Sequence, residues 1–303
     1  MPIVIRIGIA LVFMVFLGSF ASTAVNAHGF GERYDLPIPL GYFLIGAGMT
    51  VALSFVVIGW FVRSTSKNPN YSHLNLWTIR SFQIMAKLTS VLIRPLVVFI
   101  MIGAVFAGLY GTPDALDNLT PTLVWIIWWV GIGYVVALIG NVWALANPWQ
   151  VLFEWAEKIF GRRNPLFKWP VKLDAWPALG GFLLFAWFEN AYTGSSRPFN
   201  LSLVIVIYSI TTWIGMILFG KHIWLKKADP FFVLFSLFSR FSPTEVRVAQ
   251  TDESSVCQSC SSGCAINSNL PDCVDCYDCW ERAPDTSRRF MFRPWASGLT
   301  RGE

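Results

Sequence analysis

The sequence LTSVLIRPLVVFIMIGAVFAGLY, from Leu88 to Tyr110, contains a single charged residue, Arg94. A helix of about 20 apolar residues is long enough to cross the ~30 Å hydrocarbon core of a bilayer, so this segment is predicted to span a membrane. A buried arginine costs several kcal/mol unless it is paired or reaches the interface. Arg94 is therefore expected to reach the inner headgroups, to pair with Asn141, or to hold an anionic ligand.

The composition of the whole chain supports a membrane protein. Of its 303 residues, 54% are hydrophobic and 14% are charged, and the mean hydropathy is +0.52. An ordinary soluble domain contains more charge, so the bilayer is the expected solvent. Four more stretches have the length of a spanning helix, which gives five spans in all: Leu40–Val62, Thr122–Leu145, Ala175–Thr193 and Leu201–Trp224.

The first 27 residues have the pattern of a secretory signal peptide. Arg6 precedes an apolar run from Ile7 to Phe20, and the segment ends in the small-residue sequence Val25-Asn26-Ala27. This order is typical of a cleaved signal, although an uncleaved first helix has a similar pattern. Cleavage after Ala27 would make His28 the first residue of the mature protein.

The distribution of positive charge predicts the orientation in the membrane. The two loops assigned to the cytoplasm carry nine lysines and arginines, whereas the outer loops carry two. Positive residues favour the cytoplasmic side, so the mature amino terminus is predicted outside and the carboxyl-terminal tail inside. The protein is thus expected to be a multi-pass protein of the bacterial inner (plasma) membrane. The basic balance follows from this topology and requires no nucleic acid partner.

The predicted fold is an all-α membrane protein with a small cysteine-rich appendix. Residues 1–27 are the signal peptide, 28–228 the transmembrane helical bundle, 229–249 an interfacial segment and 250–303 the cytoplasmic tail. Apolar side chains recur at helical spacing between Trp149 and Phe160, which predicts a helix on the membrane surface.

The tail contains all six cysteines of the chain, which are Cys257, Cys260, Cys264, Cys273, Cys276 and Cys279. Two Cys-x-x-Cys pairs, Cys257/Cys260 and Cys276/Cys279, have the spacing that lets four thiolates surround one tetrahedral zinc ion. Cys264 and Cys273 are surplus to that set, so an iron–sulfur cluster and a second metal ion are alternatives to a single zinc ion. Disulfides are the other alternative, but a cytoplasmic tail is kept reduced. The tail is short and polar, so bound metal would supply much of its folding free energy.

A second metal site is predicted at the outer surface. After signal cleavage, His28 would carry a free α-amine, which can chelate copper or another metal together with its own ring nitrogen. The carboxylates of Glu32 and Asp35 could add oxygen ligands, and Glu189 is expected near the same surface. Carboxylates prefer harder ions than copper, and a solvated histidine is the simpler interpretation.

Three segments resemble a known family. They are Ala27-His28-Gly29-Phe30-Gly31-Glu32-Arg33-Tyr34-Asp35-Leu36-Pro37-Ile38-Pro39, Ala228-Asp229-Pro230-Phe231 and Arg293-Pro294-Trp295-Ala296-Ser297-Gly298-Leu299. They are similar to bacterial integral membrane proteins of the fenitrothion hydrolase type. The resemblance implies hydrolysis of a phosphotriester-like bond by attack of water or hydroxide on phosphorus. Longer members continue with more membrane helices, which implies that a second membrane subunit could supply them here.

Two functions are therefore expected as alternatives. The first is a metal-assisted organophosphate hydrolase, or one component of it, with Glu189 and Asp35 as catalytic candidates beside His28 and Glu32. The second is a non-enzymatic metal-handling or redox-complex subunit. Phosphotriesterases usually use two metals in sites rich in histidine and aspartate, and this chain has only three histidines.

Overall fold

A computed structural model describes residues 40–62, 72–161, 164–249, 260 and 272–300. Within these ranges the protein is mostly helical. Four helical segments are long and apolar enough to cross a membrane: Arg80–Tyr110, Leu119–Leu138, Val171–Asn190 and Pro198–Phe219. This finding confirms the prediction of a mostly helical protein with apolar helices of membrane-spanning length, four of them among the described residues where five were predicted in the chain. The predicted signal peptide, His28, Glu32 and Asp35 lie outside the described residues.

Helix α1, Leu40–Val62, has the bounds expected from the sequence. Helix α2, Arg80–Tyr110, begins about two turns before the predicted start at Leu88, so that it includes Arg80 and Lys87. Both helices expose large apolar side chains, such as Phe55 and Phe99. Apolar surface on helices of this length is suited to contact with lipid.

The third predicted span is wrong in its second half. The helix α3, Leu119–Leu138, contains a stretch of π-helix at Thr122–Ile132. After it, Asn141 accepts a hydrogen bond from the Ala144 amide and begins a separate helix α4, Val142–Ala146. An asparagine that caps a following helix satisfies a backbone donor, and this favours a break over continuation to Leu145.

In the region of the fourth predicted span, a short 3₁₀ turn, Val171–Leu173, precedes helix α6, Trp176–Asn190.

The fifth predicted span is also shorter than expected, since helix α7 covers Pro198–Phe219. Gly220 follows α7 with a φ of 88°, a conformation that glycine adopts without the strain a side chain would add. Gly220 therefore separates α7 from helix α8, Lys221–Lys227.

The bundle is packed around aromatic side chains. Helix α5, Pro148–Phe160, buries Trp149 in its first turn, and helix α9, Pro230–Phe238, buries Phe231 and Phe235. The ring centroids of Trp128 and Phe231 lie 4.5 Å apart at an interplanar angle of 74°. Edge-to-face contacts of this kind stabilise aromatic pairs beyond their buried area. The predicted interfacial segment 229–249 therefore differs in the structure: its phenylalanines enter the core.

Asp229 fixes the start of α9. Its carboxylate accepts hydrogen bonds from the Phe232 amide at 2.8 Å and from the Tyr208 hydroxyl at 2.6 Å, and its side chain is buried. Burial raises the pKa of Asp229 from 3.8 to about 6, although the hydrogen bonds from Tyr208 and the α9 backbone oppose that change. Asp229 followed by Pro230 is thus a helix start, which gives one of the three family-like segments a structural role.

Replacing Asp229 by asparagine is expected to remove a pH dependence of stability. Because the folded-state pKa is raised, its contribution is full below pH 3.8 and is lost as the pH rises through about 6. The free energy of unfolding of the wild type should therefore fall relative to Asp229→Asn by roughly 2 kcal/mol between pH 4 and pH 7. Urea unfolding of both proteins across this range measures the difference. Parallel pH profiles would contradict the prediction.

Four short strands form an antiparallel sheet beside the bundle, which the sequence interpretation did not include. They are β1 (Leu74–Asn75), β2 (Thr244–Ala249), β3 (Asp272–Val274) and β4 (Arg288–Phe292), in the order β1-β4-β2-β3. Helix α10, Tyr277–Arg282, lies between β3 and β4 in the chain. The sheet joins the first loop, the segment after α9 and the cysteine-rich tail into one unit.

Candidate metal centre

Four cysteines of the tail are described, and all are buried. Cys273 lies on β3, Cys276 precedes α10, and Cys279 lies within α10. Cys260, which follows β2 in the chain, is buried in the same cluster as these three cysteines. Cys279 is 0% exposed. Val248 pairs with Cys273 in the register of β2 with β3, and both belong to one buried cluster with the other three cysteines.

The distances between the thiols fit a metal ion. The ligand atoms of Cys260, Cys276 and Cys279 all lie within 4.8 Å of one another. The Sγ atoms of Cys260 and Cys276 are 3.5 Å apart, and those of Cys279 and Cys273 are 3.8 Å apart. Zinc–sulfur bonds of about 2.3 Å in a tetrahedron put neighbouring sulfurs about 3.8 Å apart. The thiols of Cys260, Cys276 and Cys279 can thus surround one ion with little rearrangement.

The ligand set differs in part from the predicted one. Cys260, Cys276 and Cys279 come together as expected, but Cys273, which was considered surplus, lies next to Cys279. Cys257 and Cys264 lie outside the described residues. Asp278 was missed: its Oδ2 atom is 3.6 Å from the Cys260 sulfur. Its position directly before Cys279 in the sequence was the available signal.

The cysteines belong to a small apolar core, although the tail was predicted to be short and polar. Val248 of β2 and Ala283 are buried with the four thiols, and Trp280 packs against them. The Trp280 ring also contacts Trp77 of the first loop, with centroids 5.0 Å apart. Packing therefore contributes to the stability of this unit in addition to any bound metal.

Buried ion pairs attach the cysteine unit to the helices. Lys221 at the start of α8 contacts Glu154 of α5 at 2.8 Å and Glu281 of α10 at 2.9 Å. Glu154 also pairs with Arg94 of α2 at 2.9 Å, so the intramembrane arginine has a partner other than Asn141. Burial would lower the pKa of Lys221, but Glu281 and Glu154 raise it overall. The lysine is therefore charged and links α10 to the bundle.

His222 and Arg282 surround the carboxylates of α10. His222 Nε2 lies 3.3 Å from Glu281 and 3.6 Å from Asp278, and Arg282 donates to Asp278 at 2.9 Å. Burial would raise the pKa of Glu281, but the His222 hydrogen bond and the Lys221 charge lower it to about 2. Burial would lower the pKa of Arg282, but Asp278, Cys279 and Cys260 raise it.

Removal of the Lys221 charge is expected to loosen the cysteine unit. Lys221→Met leaves Glu154 and Glu281 without their shared buried partner, which should lower the free energy of unfolding by about 3 kcal/mol. Lys226→Met on the same helix is the control, since Lys226 is exposed and its loss should cost less than about 0.5 kcal/mol. Urea titration of the purified proteins measures both changes. Equal stabilities of the two variants would refute the role of Lys221.

The candidate catalytic residues are not assembled among the described residues. Glu189 lies at the end of α6, where the Trp129 side chain hydrogen bonds to it. Asn190, the polar residue that follows Glu189, donates to the Ala186 carbonyl of its own helix. His28, Glu32 and Asp35 lie outside the described residues, so the outer metal site stays a prediction.

Comparisons with protein-family models, with curated proteins and with solved structures find no match to this chain.

Proposed function

We propose that this protein is a membrane subunit whose cytoplasmic tail holds a metal ion in a cysteine centre. The observation that carries the proposal is the group of three buried thiols within 4.8 Å of one another. The sulfur of a fourth cysteine, Cys273, lies 3.8 Å from that of Cys279. Buried thiols at this spacing are the ligands that zinc and iron–sulfur clusters use. The centre is structural or redox-active and requires no substrate.

The attachment of the centre to the helices supports a role in the membrane protein as a whole. Arg94 of α2, Glu154 of α5, Lys221 of α8 and Glu281 of α10 form a continuous chain of ion pairs. A metal that orders α10 therefore also orders Glu281 and, through this chain of ion pairs, its contacts with the other three helices. The excess of lysine and arginine in the loops on this side supports a cytoplasmic location, where thiols stay reduced.

Elemental analysis of the full chain, purified without air in detergent, tests the proposal. We expect about one zinc ion per chain at a tetrahedral thiolate site. Iron with acid-labile sulfide and visible absorption would instead identify the redox form of the same centre. A protein that contains neither metal, and whose cysteines are found as disulfides, would refute the proposal.

Hydrolysis of phosphotriesters, as one component of a membrane hydrolase, is the second candidate, and the three family-like segments favour it. Under the first proposal the purified chain should not hydrolyse a chromogenic phosphotriester above the rate in buffer. Turnover that disappears in both His28→Ala and Glu189→Gln variants would favour the hydrolase, with a metal bound at the outer surface. The same assay should be repeated with any membrane subunit that copurifies.

A further inference from the structure

A cleft of about 810 Å³ lies beside the cysteine unit, between α5, the end of α7, and the helices α8 and α10. Small-molecule sites in proteins typically have volumes of about 300–1,000 Å³, and most of their lining is apolar with a few polar groups at one end. This cleft has both properties. It is separate from the thiols, and the metal proposal does not use it.

The apolar wall of the cleft is formed by helices that belong to the membrane region. Phe153 and Phe160 come from α5, and Trp213 and Ile217 come from the last two turns of α7. Helix α7, which carries part of this wall, is long and apolar enough to cross a membrane. The wall therefore suits the apolar chain of a membrane-soluble ligand.

The polar end of the cleft carries charges that are already neutralised in pairs. Lys221 contacts Glu281, and Arg282 contacts Asp278. His222 lies between the two carboxylates. Glu157 adds a further carboxylate to the lining. An anionic head group would be repelled by the carboxylates, and a cationic head would meet Lys221 and Arg282, whereas a neutral head can accept and donate hydrogen bonds here.

We propose that the cleft binds a membrane-soluble quinone, with its apolar chain along α5 and α7 and its neutral ring at His222 and Arg282. The combination of a flat neutral head, carbonyl acceptors and an apolar chain matches the two ends of the cleft. Asp278 separates the ring from the thiols, since its Oδ1 atom lies 3.6 Å from His222 and its Oδ2 atom 3.6 Å from Cys260. The proposal concerns binding and does not depend on which metal the cysteines hold.

Direct binding to the full chain tests this site. The protein is placed in phosphatidylcholine nanodiscs and titrated with decylubiquinone, and bound quinone is quantified by native mass spectrometry. Phe160→Ala removes a ring from the cleft and should weaken binding about tenfold, which corresponds to about 1.4 kcal/mol. The matched control is Ile159→Ala, because Ile159 does not line the cleft and is 77% exposed, close to the 76% of Phe160.

A second variant fills the cleft. Ala156 is exposed and lines it, so Ala156→Trp adds bulk there without removing an existing contact and should reduce binding tenfold or more. Dodecyl phosphate has a comparable chain and an anionic head, and it should bind more weakly than the quinone. The proposal is overturned if Ala156→Trp binds the quinone as the wild type does, or if dodecyl phosphate binds more tightly. If the purified wild type binds the quinone but contains no metal, the metal proposal fails and the quinone proposal stands.

Discussion

Cys279→Ser is expected to release most of the bound metal and to unfold the cysteine unit. Cys279 is 0% exposed and lies within 4.8 Å of Cys260 and Cys276, so its loss removes a central ligand. Structural zinc contributes apparent binding free energies of about 10–16 kcal/mol in small domains, and this energy is folding energy. Metal content per chain should fall to about one tenth or less. Elemental analysis and proteolysis of the tail measure the two effects.

Val248→Ala is the matched control for the Cys279 substitution. Val248 is buried in the same apolar core but offers no ligand atom. It should lower stability by about 1–3 kcal/mol through lost packing while the metal content stays near that of the wild type. If Cys279→Ser and Val248→Ala retain the same amount of metal, the thiols are ordinary core residues and the metal proposal fails.

Arg293→Met is expected to be the most damaging substitution outside the thiols. The Arg293 and Glu245 side chains are both 0% exposed and form an ion pair, and Arg293 also donates to the Ser242 and Ser239 carbonyls at 3.1 Å. Removing one member of a buried pair costs about 3–5 kcal/mol, because the other charge stays buried. Opening of the sheet should expose Cys279 to thiol reagents about 100- to 1,000-fold more often.

The labelling rate of Cys279, located by mass spectrometry, measures this effect. The control is Arg289→Met, since Arg289 lies on β4, the strand directly before Arg293, is 43% exposed and lies 3.9 Å from Asp272. An exposed pair contributes about 0–1 kcal/mol, so its labelling rate should change only a few-fold. Adding Glu245→Gln to Arg293→Met should recover part of the lost stability, because it removes a buried carboxylate that keeps Arg247 but has lost Arg293 as a partner. Equal labelling in the two arginine variants would disprove the role of Arg293.

Much of the helical organisation could be predicted because apolar length is a local property. The bounds of α1 and the approximate positions of the four spanning helices follow from runs of apolar residues. The breaks at Asn141 and Gly220 are also local signals, but a continuous apolar run concealed them. The sheet could not be predicted, because each strand has only two to six residues and its partners are distant in the chain.

In the candidate site, too, local features could be predicted and contacts between distant elements could not. The Cys-x-x-Cys spacing of Cys276 and Cys279 indicated a metal site, because the residues that approach one ion are close in sequence. The inclusion of Cys273 depends on the register of β3 with β2, which no local pattern specifies. The pairing of Arg94 with Glu154 likewise depends on how α2 and α5 pack. Contacts between distant elements are the part that the sequence alone does not determine.

The pairing of β1 with β4 constrains the order in which the protein can be made. Leu74 faces Phe292, and Asn75 faces Met291, so the first loop of the described chain is completed by a strand near its end. A ribosome delivers the intervening helices before β4 exists, and pairing over such a separation is slow. The helices between the two strands are therefore synthesised before the sheet can close, so helix formation and closure of the sheet are separate events in folding.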